Sequence, residues 1–296
     1  MQLPPSQTAS SLLRSSRSSH RFSSTCGALD ALITPQSFVS TTSPAFDALQ
    51  DAGLCEGAVL ELLGPPGIGK TKTALGFVLA ERFRDDGGEV LVIDAEGSLV
   101  PSFIKETAEL YGEHSGYDAS FVRVVLEGIR YRRIDSAWML VAVFNSLDSW
   151  LMDHPKVTLI IVDSLSSHLR PTLDSSTRTH IADTIRASLS IVCATGRVSV
   201  IFTTQLSLKL FGPNDRPSRW SRDAEALLVP QITERWIPRE VDAWRVLQYY
   251  DEQGERLARL LSSPAPTQAT DAAFAMDALG LCDVPEGPAE LQETPA

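Results

Sequence analysis

The run Gly64-Pro65-Pro66-Gly67-Ile68-Gly69-Lys70-Thr71 constrains this chain more than any other feature. It satisfies G-x-x-x-x-G-K-[ST], with the apolar stretch Val59-Leu60-Glu61-Leu62-Leu63 before it and a helix-forming run over 70–84 after it. Strand, loop and helix in that order read as a phosphate-binding loop. Glycines let the backbone curl until successive N–H groups face one phosphate, and the following helix adds the positive end of its dipole. Gly64, Pro65, Pro66, Gly67, Ile68 and Gly69 form the cradle, Lys70 reaches the outer phosphates, and Thr71 can hold Mg²⁺. An ordinary Gly/Pro turn would not need Gly, Lys and Thr in succession.

Apolar runs of strand length alternate with helical spacing on both sides of this loop. Residues 38–52 read as an extended lead-in and a short helix. Val90-Leu91-Val92-Ile93 is the continuous apolar run expected of a parallel strand covered on both faces. A helix over 101–111, a strand over 121–126 and a long helix over 135–153 follow. In the long helix Leu140, Val143, Phe144, Leu147 and Leu151 form one stripe, and Trp138 and Trp150 read as packing residues. Strands over 157–162 and 198–204 flank a helix marked by Ile181, Ile185, Leu189, Val192 and Cys193. Beyond Gln205 a long polar segment gives way to shorter alternating stretches near Trp236, over 244–250 and over 256–261, which suggest appended antiparallel strands. The fold class is therefore α/β, a mainly parallel sheet flanked by helices with antiparallel strands on its C-terminal side.

One domain over 38–284 is expected, between a Ser/Arg-rich disordered tail over 1–37 and an acidic one over 285–296. The first tail has no acidic residue before Asp30 and carries Arg14, Arg17, Arg21 and His20, a composition that also suits an organelle transit peptide. With a formal net charge of -11, whole-molecule attraction to nucleic acid is excluded, so DNA contact must come from local basic loops. Cys26, Cys55, Cys193 and Cys282 lack C-x-x-C spacing, which argues against zinc and against a disulfide framework. The longest apolar runs are too short for a bilayer, so no membrane role is expected.

A phosphate loop binds nucleotide but does not hydrolyse it alone. Asp163 ends the apolar strand Leu159-Ile160-Ile161-Val162, and ligands of open α/β sheets sit beyond such carboxyl ends. It is the natural partner for Mg²⁺ held by Thr71, with helix capping before Ser164 as the plainer alternative. Because Ser164 rather than Glu follows, the water-activating base must lie elsewhere. Glu96, in Ile93-Asp94-Ala95-Glu96-Gly97, leaves another buried strand and suits that role; Asp94 competes, and a solvated turn carboxylate is the bland alternative. Gln205 ends a third strand and can bond a phosphate oxygen or water, coupling nucleotide state to the segment beyond. That segment carries Lys209, Arg216, Arg219 and Arg222 with Trp220 among them, a mixture that suits single-stranded nucleic acid, though Asp215, Asp223 and Glu225 dilute its charge. Residues 166–179, with His168, Arg170 and Arg178, are a second candidate.

Together these motifs resemble the RecA/RadA recombinase family, specifically its eukaryotic recombinase paralogues. Residues 41–49 resemble the family's lead-in to the phosphate loop, Ile93-Asp94-Ala95-Glu96-Gly97-Ser98 its glutamate motif, Ile161-Val162-Asp163-Ser164 its metal-binding strand, Phe202-Thr203-Thr204-Gln205 its sensor strand, and 256–283 its closing strands. The resemblance implies a RecA-like core in which Lys70 and Thr71 bind ATP and Mg²⁺, Asp163 supports the metal, Glu96 activates water and Gln205 senses the γ-phosphate. It also implies two DNA-facing loops after Asp163 and Gln205, a related paralogue subunit or the main recombinase as partner, single-stranded DNA as ligand, and a nuclear location, with a mitochondrial one as the alternative. The expected activity is weak DNA-stimulated ATP hydrolysis in homologous recombination and double-strand break repair. Departures are Val100 where principal recombinases carry an arginine, the lack of an F-x-x-A polymerisation motif before the core, and a leading segment too short for their helical domain. Rival readings are an ATP-binding scaffold with negligible hydrolysis and a P-loop small-molecule phosphotransferase.

Overall fold

The computed structural model describes residues 20–34, 52–169, 173–211, 225–232, 235–264 and 270–284. In chain order the elements are β1 (Arg21–Phe22), α1 (Gly27–Ile33), β2 (Leu54–Cys55), β3 (Val59–Gly64), α2 (Lys70–Arg82), β4 (Glu89–Asp94), α3 (Pro101–His114), α4 (Ala119–Glu127) and β5 (Ile129–Arg133). There follow α5 (Ala137–Asp153), β6 (Val157–Asp163), a 3₁₀ turn (Leu165–Ser167), α6 (Ser175–Ala194), β7 (Ser199–Phe211), β8 (Glu225–Pro230), β9 (Ala243–Tyr250), β10 (Arg256–Ser262), β11 (Asp271–Met276) and β12 (Leu281–Asp283).

The main sheet has the order β12-β11-β10-β9-β3-β7-β6-β4-β5, and β8 pairs with β7. From β9 through β3, β7, β6 and β4 to β5 every neighbour is parallel. β10, β11 and β12 then add antiparallel on the far side of β9. The expected α/β architecture is present, with one refinement: the first appended strand, β9, runs parallel to β3. The central strands are apolar on both faces because two helical layers cover them. One cluster joins Leu60, Leu62, Val90, Val92 and Ile161 to α2, α3 and α4; the other joins Val59, Ile93, Ile160, Val162 and Phe202 to α5 and α6.

Four expectations change. Residues 121–126 are not a strand but lie within α4. Asp118 caps that helix by accepting from Phe121 N at 2.9 Å, and Val122 and Val125, three apart, turn inward. Capping and packing override the β-preference of a Val-rich run. The stretch near Trp236 is not a strand either; its indole is buried edge-on to Phe202, with centroids 4.5 Å apart. Trp138 is 62% exposed and so is not a packing residue.

The fourth change concerns the expected tail over 1–37, which is folded across residues 20–34. β1 pairs with β2, and the buried side chains of Phe22, Leu29 and Ile33 join the core. Ser24 crosses α2 so closely that a Cβ on Gly76 would stand 2.5 Å from its carbonyl oxygen. Asp283 ties the two ends of the domain together, its carboxylate accepting from Gly27 N at 3.0 Å and Ala28 N at 2.8 Å at the start of α1. Composition misled here because the Ser residues hold turns rather than solvate: Ser23 Oγ accepts from Thr25 N and Ser24 Oγ from Cys26 N, while Ser23 Oγ and Ser24 N both donate to buried Asp30. The expected lead-in helix over 38–51 and the tail over 285–296 lie outside the described residues. No helix among the described residues is long and apolar enough to cross a membrane.

Candidate nucleotide site

Parallel pairing sets the ends of β3, β4 and β6 level with the middle of β7. Gly64 at the end of β3 is in register with Gln205 on β7, and Asp94 at the end of β4 with Asp163 at the end of β6. The phosphate loop opens directly from β3. Gly67 and Gly69 take φ of 81° and 114°, a left-handed conformation that costs glycine little and other residues considerably more. Gly64 is required for a different reason, since a Cβ there would meet Gln248 O at 2.5 Å. Ile68 is fully buried and pins the loop from below.

Lys70 is 7% exposed, and its ammonium donates to Gly64 O and Pro65 O at 2.9 Å each. Burial lowers its pKa from the ordinary lysine value, while Asp163 and Glu96 oppose the shift. α2 begins at Lys70 with Gly69 as its N-cap, no side-chain cap and no acidic residue in its first turn. Its free N–H groups and dipole are therefore available to an anion.

Thr71 Oγ1 donates to the Asp163 carboxylate, 3.0 Å from Oδ2 and 3.2 Å from Oδ1. Two residues that the sequence motifs contain but to which no role was given complete the surroundings of Asp163. Ser98 Oγ donates to Oδ2 at 2.6 Å, and Thr203 Oγ1 donates to Oδ1. Burial raises the Asp163 pKa, partly offset by the bonds from Ser98, Thr203 and Thr71, while nearby Asp94 adds to the rise. A carboxylate buried and ringed with hydroxyls suits a cation beside Thr71. Among the described residues no group of three or more His, Cys, Asp or Glu could hold a metal. One carboxylate beside one hydroxyl is a donor set that fits Mg²⁺, which takes one or two protein oxygens and completes its shell with phosphate and water.

Glu96 leaves β4 as expected, its backbone N–H donating to Asp163 O at 3.1 Å, and its Oε1 accepts from Gln205 Nε2 at 2.7 Å. The two residues assigned to chemistry and sensing thus touch each other. Asp94, the competing carboxylate, is fully buried and bonded to Gly97 N, Tyr131 and Arg133, so it organises the loop and does not face an open site.

The expected DNA-facing residues are less complete. β7 continues past Gln205 to Phe211 and pairs with β8, so the presumed polar loop begins and ends as a two-stranded ribbon. Lys209 lies exposed on that ribbon, opposite Leu227. Arg170, Arg216, Arg219, Trp220 and Arg222 lie outside the described residues. Of the secondary candidates, His168 Nε2 is 3.1 Å from Ile134 O, and Arg178 Nη1 donates to Leu173 O at 2.6 Å.

A family model described as Rad51 matches residues 36–212. The DNA repair protein RAD51 homolog 3 of Cricetulus griseus is 28% identical over 254 residues, 79% of this chain and 66% of the relative. RAD51 homolog 4 of Mus musculus is 26% identical over 213 residues, covering 69% and 64%. RAD51 homolog 2 of Homo sapiens is 23% identical over 253 residues, covering 77% and 65%. The chain spans slightly less than two thirds of the length of these curated relatives.

Proposed function

The chain belongs to the Rad51 family, and on that premise we propose that it is an ATP-dependent DNA-binding protein of homologous recombination and double-strand break repair. It acts as a recombinase paralogue, supporting recombinase filament assembly on single-stranded DNA in the nucleus. With Mg²⁺ it binds ATP and hydrolyses it weakly under DNA stimulation. The observation that carries this reading is the meeting of four side chains at one edge of the parallel sheet: Thr71 at the start of α2, Asp163 at the end of β6, Glu96 just past β4 and Gln205 within β7, with the Gln205 amide on Glu96 at 2.7 Å.

Lys70 and the N–H groups opening α2 hold the phosphates. Thr71 and Asp163 would hold Mg²⁺, which neutralises charge on the phosphate oxygens. Glu96 accepts the proton of a water aligned with the γ-phosphorus, and Gln205 orients that water or the transferred group. Gln205 also begins the ribbon that carries Lys209, so a shift of its amide between Glu96 and phosphate would be transmitted to the expected DNA-facing segment.

Partner binding is supported by β5, the last strand of the sheet among the described residues. Beside it lies a cavity of about 210 Å³, lined by Leu91, Tyr131, Val143, Leu147 and Trp150 together with Arg130, Arg132 and Ser146. A sheet edge next to a hollow of mixed apolar and basic lining suits an added strand from a related subunit. The test is ATP turnover and retention of single-stranded DNA by the chain with its co-purified subunits, against Lys70→Ala as the blank. Turnover equal to the blank with and without DNA would remove the enzymatic part, and DNA retention indifferent to ATP would remove the coupling.

A further inference from the structure

A hydrogen-bonded cluster around the buried carboxylate of Asp94 joins the edge of the sheet to the loop that carries Glu96. Asp94 and Arg133 are register partners on β4 and β5. The Asp94 carboxylate accepts from Tyr131 Oη at 2.9 Å, from Arg133 Nη1 at 3.2 Å and from Gly97 N at 2.6 Å. Arg133 Nη1 also donates to Asp94 O at 3.1 Å, and Ile134 N donates to the same oxygen at 2.9 Å. Gly97 has a φ of 91°, and the guanidinium lies so close that a Cβ there would be 3.1 Å from Nη2. On the other side, Ala95 N and Glu96 N donate to Asp163 O at 2.5 and 3.1 Å.

A buried carboxylate with three side-chain and backbone donors could serve only to stiffen two strands. The Gly97 amide argues for more. It is the peptide N–H immediately after Glu96, so the bond that satisfies Asp94 also fixes the backbone from which the Glu96 side chain projects. Burial, and then the bond to Asp94, pushes the Tyr131 phenol up to about 12, so it remains a donor throughout the neutral range.

We propose that Tyr131 and Arg133, on the edge strand, are positioning residues for Glu96, acting through the Asp94 carboxylate and the Gly97 amide. The inference rests on the reading of Glu96 as the water-activating base. Its consequence is that the strand offered to a partner is also the strand that sets the base.

Two measurements on the full-length chain test it. In Tyr131→Phe and, separately, Arg133→Met, amide hydrogen exchange over 95–98 should accelerate while exchange in α2 stays as in the wild type. In the same variants turnover should fall on the order of tenfold with ATP affinity unchanged, short of the about hundredfold that a 1 Å misplacement can cost. Arg133→Lys should recover part of the loss. Unchanged exchange at 95–98, or turnover and affinity declining together, would overturn the proposal. If exchange accelerates but wild type and Lys70→Ala turn over ATP equally, the positioning stands and the hydrolytic reading is what fails.

Discussion

The Gln205 side-chain amide donates to Glu96 Oε1 at 2.7 Å, joining the middle of β7 to the loop after β4 across the intervening strand β6. The bond passes over the strand that ends in Asp163, whose carboxylate accepts from Thr71. Each residue restrains the other, and on the proposed reading each takes a separate role once phosphate competes for the amide. Glu96→Gln keeps the size and a hydrogen-bonding oxygen but removes the base. We expect its turnover to fall by about 10²-fold or more, with ATP affinity within a few-fold of wild type. Gln205→Ala should lower turnover less and abolish the ATP dependence of DNA retention. Initial rates and equilibrium binding on the same preparations separate the two, and an unaltered rate in Glu96→Gln would rule out its role as base.

Lys70 is held by two carbonyls of its own loop, so its removal costs contacts within the loop itself as well as contacts to phosphate. The distinguishing readout is ligand-induced stabilisation. At ATP near one hundred times its dissociation constant the wild type should gain about 2.7 kcal/mol, seen as a rise in Tm of several degrees. Lys70→Ala should melt at nearly the same temperature with and without ATP. A full ATP-induced shift in that variant would remove the phosphate role assigned to Lys70.

The residues legible in the sequence were those whose identity and chain position coincide. Gly64 to Thr71 is a contiguous motif, and Asp163 and Glu96 each follow a run apolar enough to read as a strand, so their place at a carboxyl end could be inferred; for Gln205 the same inference stops the strand too soon, because β7 runs on to Phe211. Ser98 and Thr203 carry generic hydroxyls, and only the β4–β6 and β6–β7 registers bring them to Asp163. Tyr131 and Arg133 were hidden for a related reason: the strand over 121–126 was placed one element early, so β5 had no neighbour to be read against. Residues 20–34 were misjudged because Ser-rich composition was weighed without the partners, Asp30 and Asp283, that give those residues a fold.

Asp30 gives the N-terminal segment a pH dependence of definite sign. Burial raises its pKa from the ordinary 3.8 to about 6, against the bonds from Ser23 and Ser24 and with a smaller upward push from Asp283. Between those values the folded chain holds a proton that the unfolded chain has lost. The stabilisation is therefore complete below about pH 4 and is lost as pH rises through about 6, a swing of about 3 kcal/mol at most. Asp30→Asn has no such titration. Denaturant unfolding from pH 4.5 to 8 should show the variant gaining on the wild type as pH rises, and a difference independent of pH would exclude Asp30 as the source.

Asp163 depends on its hydroxyls in a way that links Mg²⁺ to pH. Burial raises its pKa, and the bonds from Ser98, Thr203 and Thr71 are what restrain the rise. Ser98→Ala removes the 2.6 Å donor and leaves the carboxylate just as buried. The anion is then less favoured, so Asp163 stays protonated to a higher pH and supports the cation beside Thr71 less well. A hydrogen bond to a charged group is worth about 1.5–3 kcal/mol, so the Mg²⁺ concentration for half-maximal turnover should rise about tenfold or more. The acidic limb of the rate profile should move upward at the same time. Thr203→Val should repeat both effects from the opposite carboxylate oxygen. Saturating Mg²⁺ at the alkaline end of the profile should restore most of the lost rate. If the rate stays low there, Ser98 acts on Glu96 through the shared loop rather than on the metal.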